Sequence, residues 1–217
     1  MIRLLVMYGH PTDPDAFDKY YREVHLPIAR KMKGLKRWTV GSPIQAPLDS
    51  LSCLIAEHGI RAADVEKVVV RVSQQGARTT NNREMPDINM QYMVSIMLLD
   101  GTATLEAAHD LKRMGNPKVT AMRARVELIG DEELQKLLPS RQGIVEVTLK
   151  DGRMLRHHTT AVRGTPKNPM PRSEVDEKCY NLCAPVLGRA RARRLCDAVW
   201  NLERVKNVRR LRPLMRA

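Results

Sequence analysis

Residues 81–101 read NNREMPDINMQYMVSIMLLDG, and they constrain the fold more than any other stretch of this chain. Between Met90 and Leu99 only Gln91, Tyr92 and Ser95 carry polar side-chain atoms. A helix with no polar face has to be buried on most of its surface. Proline is tolerated in a helix's first turn and glycine is the usual residue just past its end. The segment therefore predicts a buried helix with Pro86 in its first turn and Gly101 at its stop. A tyrosine held in such a helix needs a partner for its hydroxyl. Everything downstream alternates short strands and helices able to cover it.

Composition says what surrounds that helix. Aromatic residues make up 4% of 217 residues while there are 12 Met, so aliphatic and methionine packing has to fill the core. The four cysteines, Cys53, Cys179, Cys183 and Cys196, form no C-x-x-C pair and no secretory signal precedes them, which reads as reduced thiols in a cytoplasmic protein. No apolar run approaches the length of a membrane span, so no membrane partner is expected. The formal net charge of +13 is unevenly placed: residues 189–217 hold nine Arg and one Lys against Asp197 and Glu203, a net +8. Such a balance suits nucleic acid, an anionic surface or acidic small molecules.

In chain order, residues 1–8 alternate as a strand, and Pro11 and Pro14 mark a turn. A helix follows with Phe17, Tyr20, Tyr21 and Val24 on its apolar face, ending near Gly34, and a second strand begins at Leu35. Gly41-Ser42-Pro43 is a junction. Residues 46–58 form an amphipathic helix stopped by Gly59, 65–72 a strand, and 73–82 a polar loop. Residues 103–111 read as a short helix, Asn116-Pro117 opens another, and 123–129 is a strand. Lys150-Asp151-Gly152 joins residues 144–149 and 153–160 as a hairpin, a strong turn signal. Ser173 caps a helix that Gly188 stops, and 189–202 is the last clear helix.

Two resemblances follow from these residues. Asn82-Arg83 with Pro86, then Gln91-Tyr92 and Leu98-Leu99-Asp100-Gly101, resemble the MmgE/PrpD family. The likeness continues through residues 64–70, Ala108-His109-Asp110, residues 145–152 and Gly164-Thr165-Pro166-Lys167-Asn168-Pro169, and covers 42–217. That family includes 2-methylcitrate dehydratases, cis-aconitate decarboxylases and related enzymes of small polycarboxylates. The resemblance implies the family's small α+β lid domain, with a small sheet, a buried central helix and C-terminal helices. The large helical domain that normally precedes the lid is absent from these residues. Residues 1–41 resemble the EthD family of ferredoxin-like dimeric α+β barrels, through Leu4-Val6-Tyr8, Phe17 and Tyr20, Val24-His25-Leu26-Pro27, and Gly34-Leu35 with Arg37. This implies an incomplete βαβ half-module and a homo-oligomer.

The candidate catalytic residues are Tyr92, Lys36 and His25. By the first resemblance the lid supplies a tyrosine on the central helix, a lysine and a histidine. Tyr92 matches the tyrosine, and is equally explained as a buried residue with a satisfied hydroxyl. The lysine falls on Lys36, otherwise a solvated surface lysine, and Gln45 stands where the histidine belongs. Glutamine exchanges no protons. His25 either faces a barrel cavity as an acid–base group or makes a cap or dimer contact. His157 and His158 sit on one strand, where alternation sends their rings to opposite faces, and no metal-ligand cluster or cofactor motif is present. The resulting expectation is a lyase-family domain that is inactive alone, acting on a small polycarboxylate with a helical partner domain. A non-enzymatic dimerising protein and nonspecific polyanion binding through the arginine tail are the alternatives.

Overall fold

The computed structural model describes residues 40–216; residues 1–39, on which His25, Lys36 and the expected EthD-like half-module fall, and residue 217 lie outside them. The described residues fall into two compact units, one ending at Met170 and one beginning at Pro171.

The first unit is α+β and opens with α1 (Ser42–His58), which starts before the expected residue 46. Its end agrees with the sequence: Gly59 adopts φ +62° and its N–H closes on the Ile55 carbonyl. Strand β1 (Val65–Ser73) follows. Residues 74–80 are not the expected loop but a helix, α2 (Gln74–Thr80), capped by the Ser73 hydroxyl, which accepts the Gly76 N–H at 3.1 Å. Two substitutable-looking residues, Gly76 and Thr80, are buried in it.

The apolar segment forms α3 (Met90–Asp100), in which every residue from Met90 to Leu98 is buried. Pro86 does not open this helix as expected. It begins a separate 3₁₀ turn (Pro86–Ile88), because Asn89 takes the cap position and its side chain accepts the Tyr92 N–H at 2.8 Å. Gly101 ends the helix at φ +71°. The three polar side chains of the run are all satisfied. Gln91 accepts the Asn82 N–H at 2.9 Å and donates to the Asn81 side chain at 2.7 Å. Ser95 donates to the Gln91 carbonyl and Tyr92 to the Ala107 carbonyl, both at 2.7 Å. Burial of polar groups costs little under these conditions, so the full apolar surface of α3 contributes to the core.

The expected helix at 103–111 is a 3₁₀ turn, Ala107–His109. Its backbone is drawn away from regular helix by side chains: the Thr104 hydroxyl accepts the Ala107 N–H and the Ala107 carbonyl takes the Tyr92 hydroxyl. Then come α4 (Pro117–Arg123), capped by Asn116, and β2 (Val126–Asp131), which starts three residues later than expected because α4 runs through Arg123. A short α5 (Glu132–Lys136) and the hairpin β3 (Gly143–Leu149) and β4 (Met154–Thr159) complete the unit. Gly152 sits at φ +86° in the hairpin turn, as the Asp-Gly signal demands.

The sheet is mixed, in the order β2-β1-β3-β4. β1 runs parallel to β2 and antiparallel to β3. The parallel pair needs a crossover, and α2, α3 and α4 lie within it. Val68, Val70 and Val72 of β1 and Val145 and Val147 of β3 join α3 and α1 in one core. Helix α1 comes close to the sheet at Gly143, where an added Cβ would lie 2.6 Å from Pro47 Cδ. Only glycine allows that approach.

The second unit holds α6 (Arg172–Leu187), α7 (Arg189–Trp200) and a 3₁₀ helix, Val208–Met215. Helix α6 begins at Arg172 behind Pro171, not at a Ser173 cap. Its core is small: Cys183, Ala192 and Leu195, with Tyr180, Leu187 and Leu214 packed on them. No helix among the described residues is long and apolar enough to cross a membrane.

Candidate functional site

Tyr92 is the one expected site residue among those described, and it has no exposed surface. Its phenol is committed to a backbone acceptor, the Ala107 carbonyl, at 2.7 Å. Burial pushes its pKa above the ordinary tyrosine value, and Arg113 pulls weakly the other way. Around it, Arg113 pairs with Asp100 and takes the Asp110 side chain on its own N–H. His109 places Nδ1 2.8 Å from the Leu105 carbonyl. These contacts knit the 3₁₀ turn to the end of α3. Gln45, half-buried on α1, supplies no proton donor or acceptor of the kind a histidine would.

A second feature was not read from the sequence. Helix α1 and the end of β4, with the turn after it, border a cleft of about 440 Å³. Asp49 and Cys53, four residues apart on α1, share its wall with His157, Thr160, Arg163 and Lys167. The wall is assembled by the hairpin. The Ser50 hydroxyl donates to the Gly143 carbonyl and accepts the Thr159 N–H, both at 3.1 Å, so α1 is fastened to both strands. Strand register puts His157 opposite Val145 and His158 opposite Ile144, successive positions of β4, and both residues line the cleft at the strand's end. One buried nitrogen of each ring lacks a partner, His157 Nδ1 and His158 Nε2. Burial holds the His158 pKa below the ordinary value, with Arg156 adding to it.

Beyond β4, the Asn168 side chain donates to the Ala161 carbonyl and the Asn168 carbonyl accepts the Gly164 N–H at 2.7 Å. The Thr165 hydroxyl donates to the Val162 carbonyl. This turn is anchored to α1 where Asp49 accepts the Arg163 N–H at 2.8 Å. Burial raises the Asp49 pKa, and the Arg163 contacts oppose it. Chemically, the cleft offers cations, hydroxyls, an imidazole and a carboxylate to a small polar molecule. Among the described residues no group of three or more His, Cys, Asp or Glu side chains is arranged to hold a metal ion.

The second unit adds a thiol pair. Cys196 Sγ lies 3.4 Å from Cys179 Sγ, and burial with this hydrogen bond pushes the Cys196 thiol up to about 12.

Two comparisons place the chain. A short segment of 41 residues is 39% identical to an uncharacterized 11.0 kDa protein in the thcB-thcC intergenic region of Rhodococcus erythropolis. It covers 19% of this chain and 40% of that relative, so the match spans less than half of the relative's length. The MmgE/PrpD C-terminal domain matches residues 38–204, including the buried helix, the hairpin, the cleft and most of the second unit. The chain therefore belongs to the MmgE/PrpD family, related at that level to the 2-methylcitrate dehydratases, through their C-terminal domain.

Proposed function

We propose that this chain is a closing domain for lyase chemistry on small polycarboxylates, and that as a 217-residue chain it does not turn such substrates over. The observation that carries this reading is the state of Tyr92. Acid–base catalysis needs a group within hydrogen-bonding reach of the substrate proton, with a pKa near the working pH. Tyr92 is fully buried, its hydroxyl is spent on the Ala107 carbonyl, and burial moves its pKa away from neutrality. Its part is to fix the 3₁₀ turn at Ala107–His109 against α3. Gln45 adds no proton transfer. The cleft beside α1 offers Lys167 and the hydroxyls of Ser52 and Thr160 for holding carboxylates. The other wall and the principal base then come from a helical domain, in the arrangement this family's lids imply.

Purified chain incubated with 2-methylcitrate and with cis-aconitate tests this. The expected result is no product above the uncatalysed background. Losing a positioned general base alone removes a factor of roughly 10² to 10⁴. Turnover by the chain alone that disappears in Tyr92→Phe would overturn the reading.

A further inference from the structure

The unit of residues 171–216 holds 12 Lys and Arg against 5 Asp and Glu, a net +7, whereas residues 40–170 hold 17 against 15. The basic character of the described chain is therefore concentrated on one small helical unit. Within it, residues 204–216 contain Arg204, Lys206, Arg209, Arg210, Arg212 and Arg216 and no acidic residue. Helix α7 packs against the Val208–Met215 helix, so their cations share one body. In a 3₁₀ helix, residues three apart eclipse, which sets Arg209 directly beside Arg212. Like charges so placed repel, and both are exposed. One acidic residue of the unit is already engaged: Asp176 takes Arg193 at 2.6 Å and the Trp200 indole at 2.8 Å.

We propose that this unit docks on the phosphate backbone of nucleic acid without reading its sequence, through Arg189 and Arg194 of α7 and Arg209, Arg210 and Arg212. An external polyanion relieves the repulsion among these guanidiniums and gains the free energy of releasing its own counterions. The absence of sequence readout follows from the contact type, since guanidinium–phosphate contacts carry no sequence information. Arg172 covers one face of the Trp200 ring at 4.3 Å and Arg193 one face of Tyr180 at 4.4 Å, so those two faces are not open to stack on a base. On the 3₁₀ helix Leu214 packs on the unit's own core and Leu211 is half-buried, while Val208 and Met215 are exposed, so an anionic membrane surface is the competing occupant that the vesicle arm of the test decides for or against.

The test is fluorescence anisotropy of the full chain with two labelled DNA duplexes of unrelated sequence, over a range of salt. Five phosphate contacts predict a slope of log Kobs against log salt of about −4.5, equal for both duplexes. Arg209→Ala/Arg210→Ala/Arg212→Ala should bring the slope to about −2, and the matching triple Arg→Lys variant should keep it near the parent's. Lys118→Ala/Arg141→Ala/Lys150→Ala, three exposed cations of the other unit, should leave it unchanged. Equal losses from the two alanine triples would overturn the proposal, since net charge alone would then bind. So would tenfold discrimination between the duplexes, or binding to equal-part phosphatidylcholine and phosphatidylserine vesicles with none to DNA. This test is independent of the lyase reading, which no outcome here touches.

Discussion

Replacing Ser50 by alanine should loosen the joint on which the cleft depends. Ser50 is fully buried on α1, and its hydroxyl donates to Gly143 O and accepts the Thr159 N–H. It also lies 2.8 Å from the Thr159 hydroxyl. Gly143 and Thr159 are opposite each other at the ends of β3 and β4, so one oxygen fastens the helix to both strands. Each intramolecular hydrogen bond is worth about 1 kcal/mol net, and a buried donor left without an acceptor costs about 1–3 kcal/mol. The Thr159 N–H is such a donor in Ser50→Ala. The loss should be about 2–3 kcal/mol, a fall of roughly 5–10 °C in Tm for a chain of this size. Urea unfolding followed by far-ultraviolet circular dichroism measures it, with the slope m unchanged. Thr159→Val keeps the side chain's shape and removes only its hydroxyl. The double variant should therefore be less damaging than the two single losses added together, with a coupling of about 1 kcal/mol. A Ser50→Ala loss under about 0.5 kcal/mol, or strict additivity, would refute the idea that this hydroxyl holds α1 to the hairpin.

Two further outcomes follow from the remaining residues. Cys196 is a group whose neutral form is favoured in the folded state, so the folded chain keeps a proton that the unfolded thiol gives up near its ordinary pKa. Stability should fall as pH rises from about 9 towards about 12, and this slope should be shallower in Cys196→Ala, the other raised thiols and Tyr92 keeping part of it; an unchanged slope would contradict the assignment. The half-barrel expected from the sequence of residues 1–41, which would leave a strand edge and the side chains of Phe17, Tyr20, Tyr21 and Val24 to be covered, motivates the proposal of self-association. Light scattering at tens of micromolar should give a mass above one chain, and a strictly monomeric mass would count against it.

How much of this was legible in the sequence depended on how local the cause was. The buried helix was readable because Met90 to Leu99 offers no polar face, and the hairpin because Asp151-Gly152 sets the turn. Helix α2 was not. Gln-Gln-Gly-Ala-Arg-Thr-Thr has weak helix propensity; the local Ser73 cap supports it, and Gly76 fits where a Cβ would lie 3.2 Å from Pro43 Cβ, a close approach the segment does not itself encode. The reverse error, a helix at 103–111, arose because the Ala107 carbonyl is taken by Tyr92, fifteen residues away. The cleft was invisible for the same reason: it depends on Ser50 meeting Thr159 across 109 positions. The Gly164 to Pro169 turn was seen as a family likeness, but its place against Asp49 was set by strand pairing.

Titration of the Tyr92 phenol tests most directly the claim that this residue holds the fold and does not move substrate protons. Nuclear magnetic resonance of chain labelled with ¹³C at the tyrosine ζ carbon follows all 5 tyrosines at once, and the resonance lost in Tyr92→Phe identifies the one of interest. Tyr92 should stay un-ionised beyond the usual value of about 10, because burial and its bond to Ala107 favour the neutral phenol. Ionisation at or below neutral pH would contradict it, and would return Tyr92 to the list of catalytic bases.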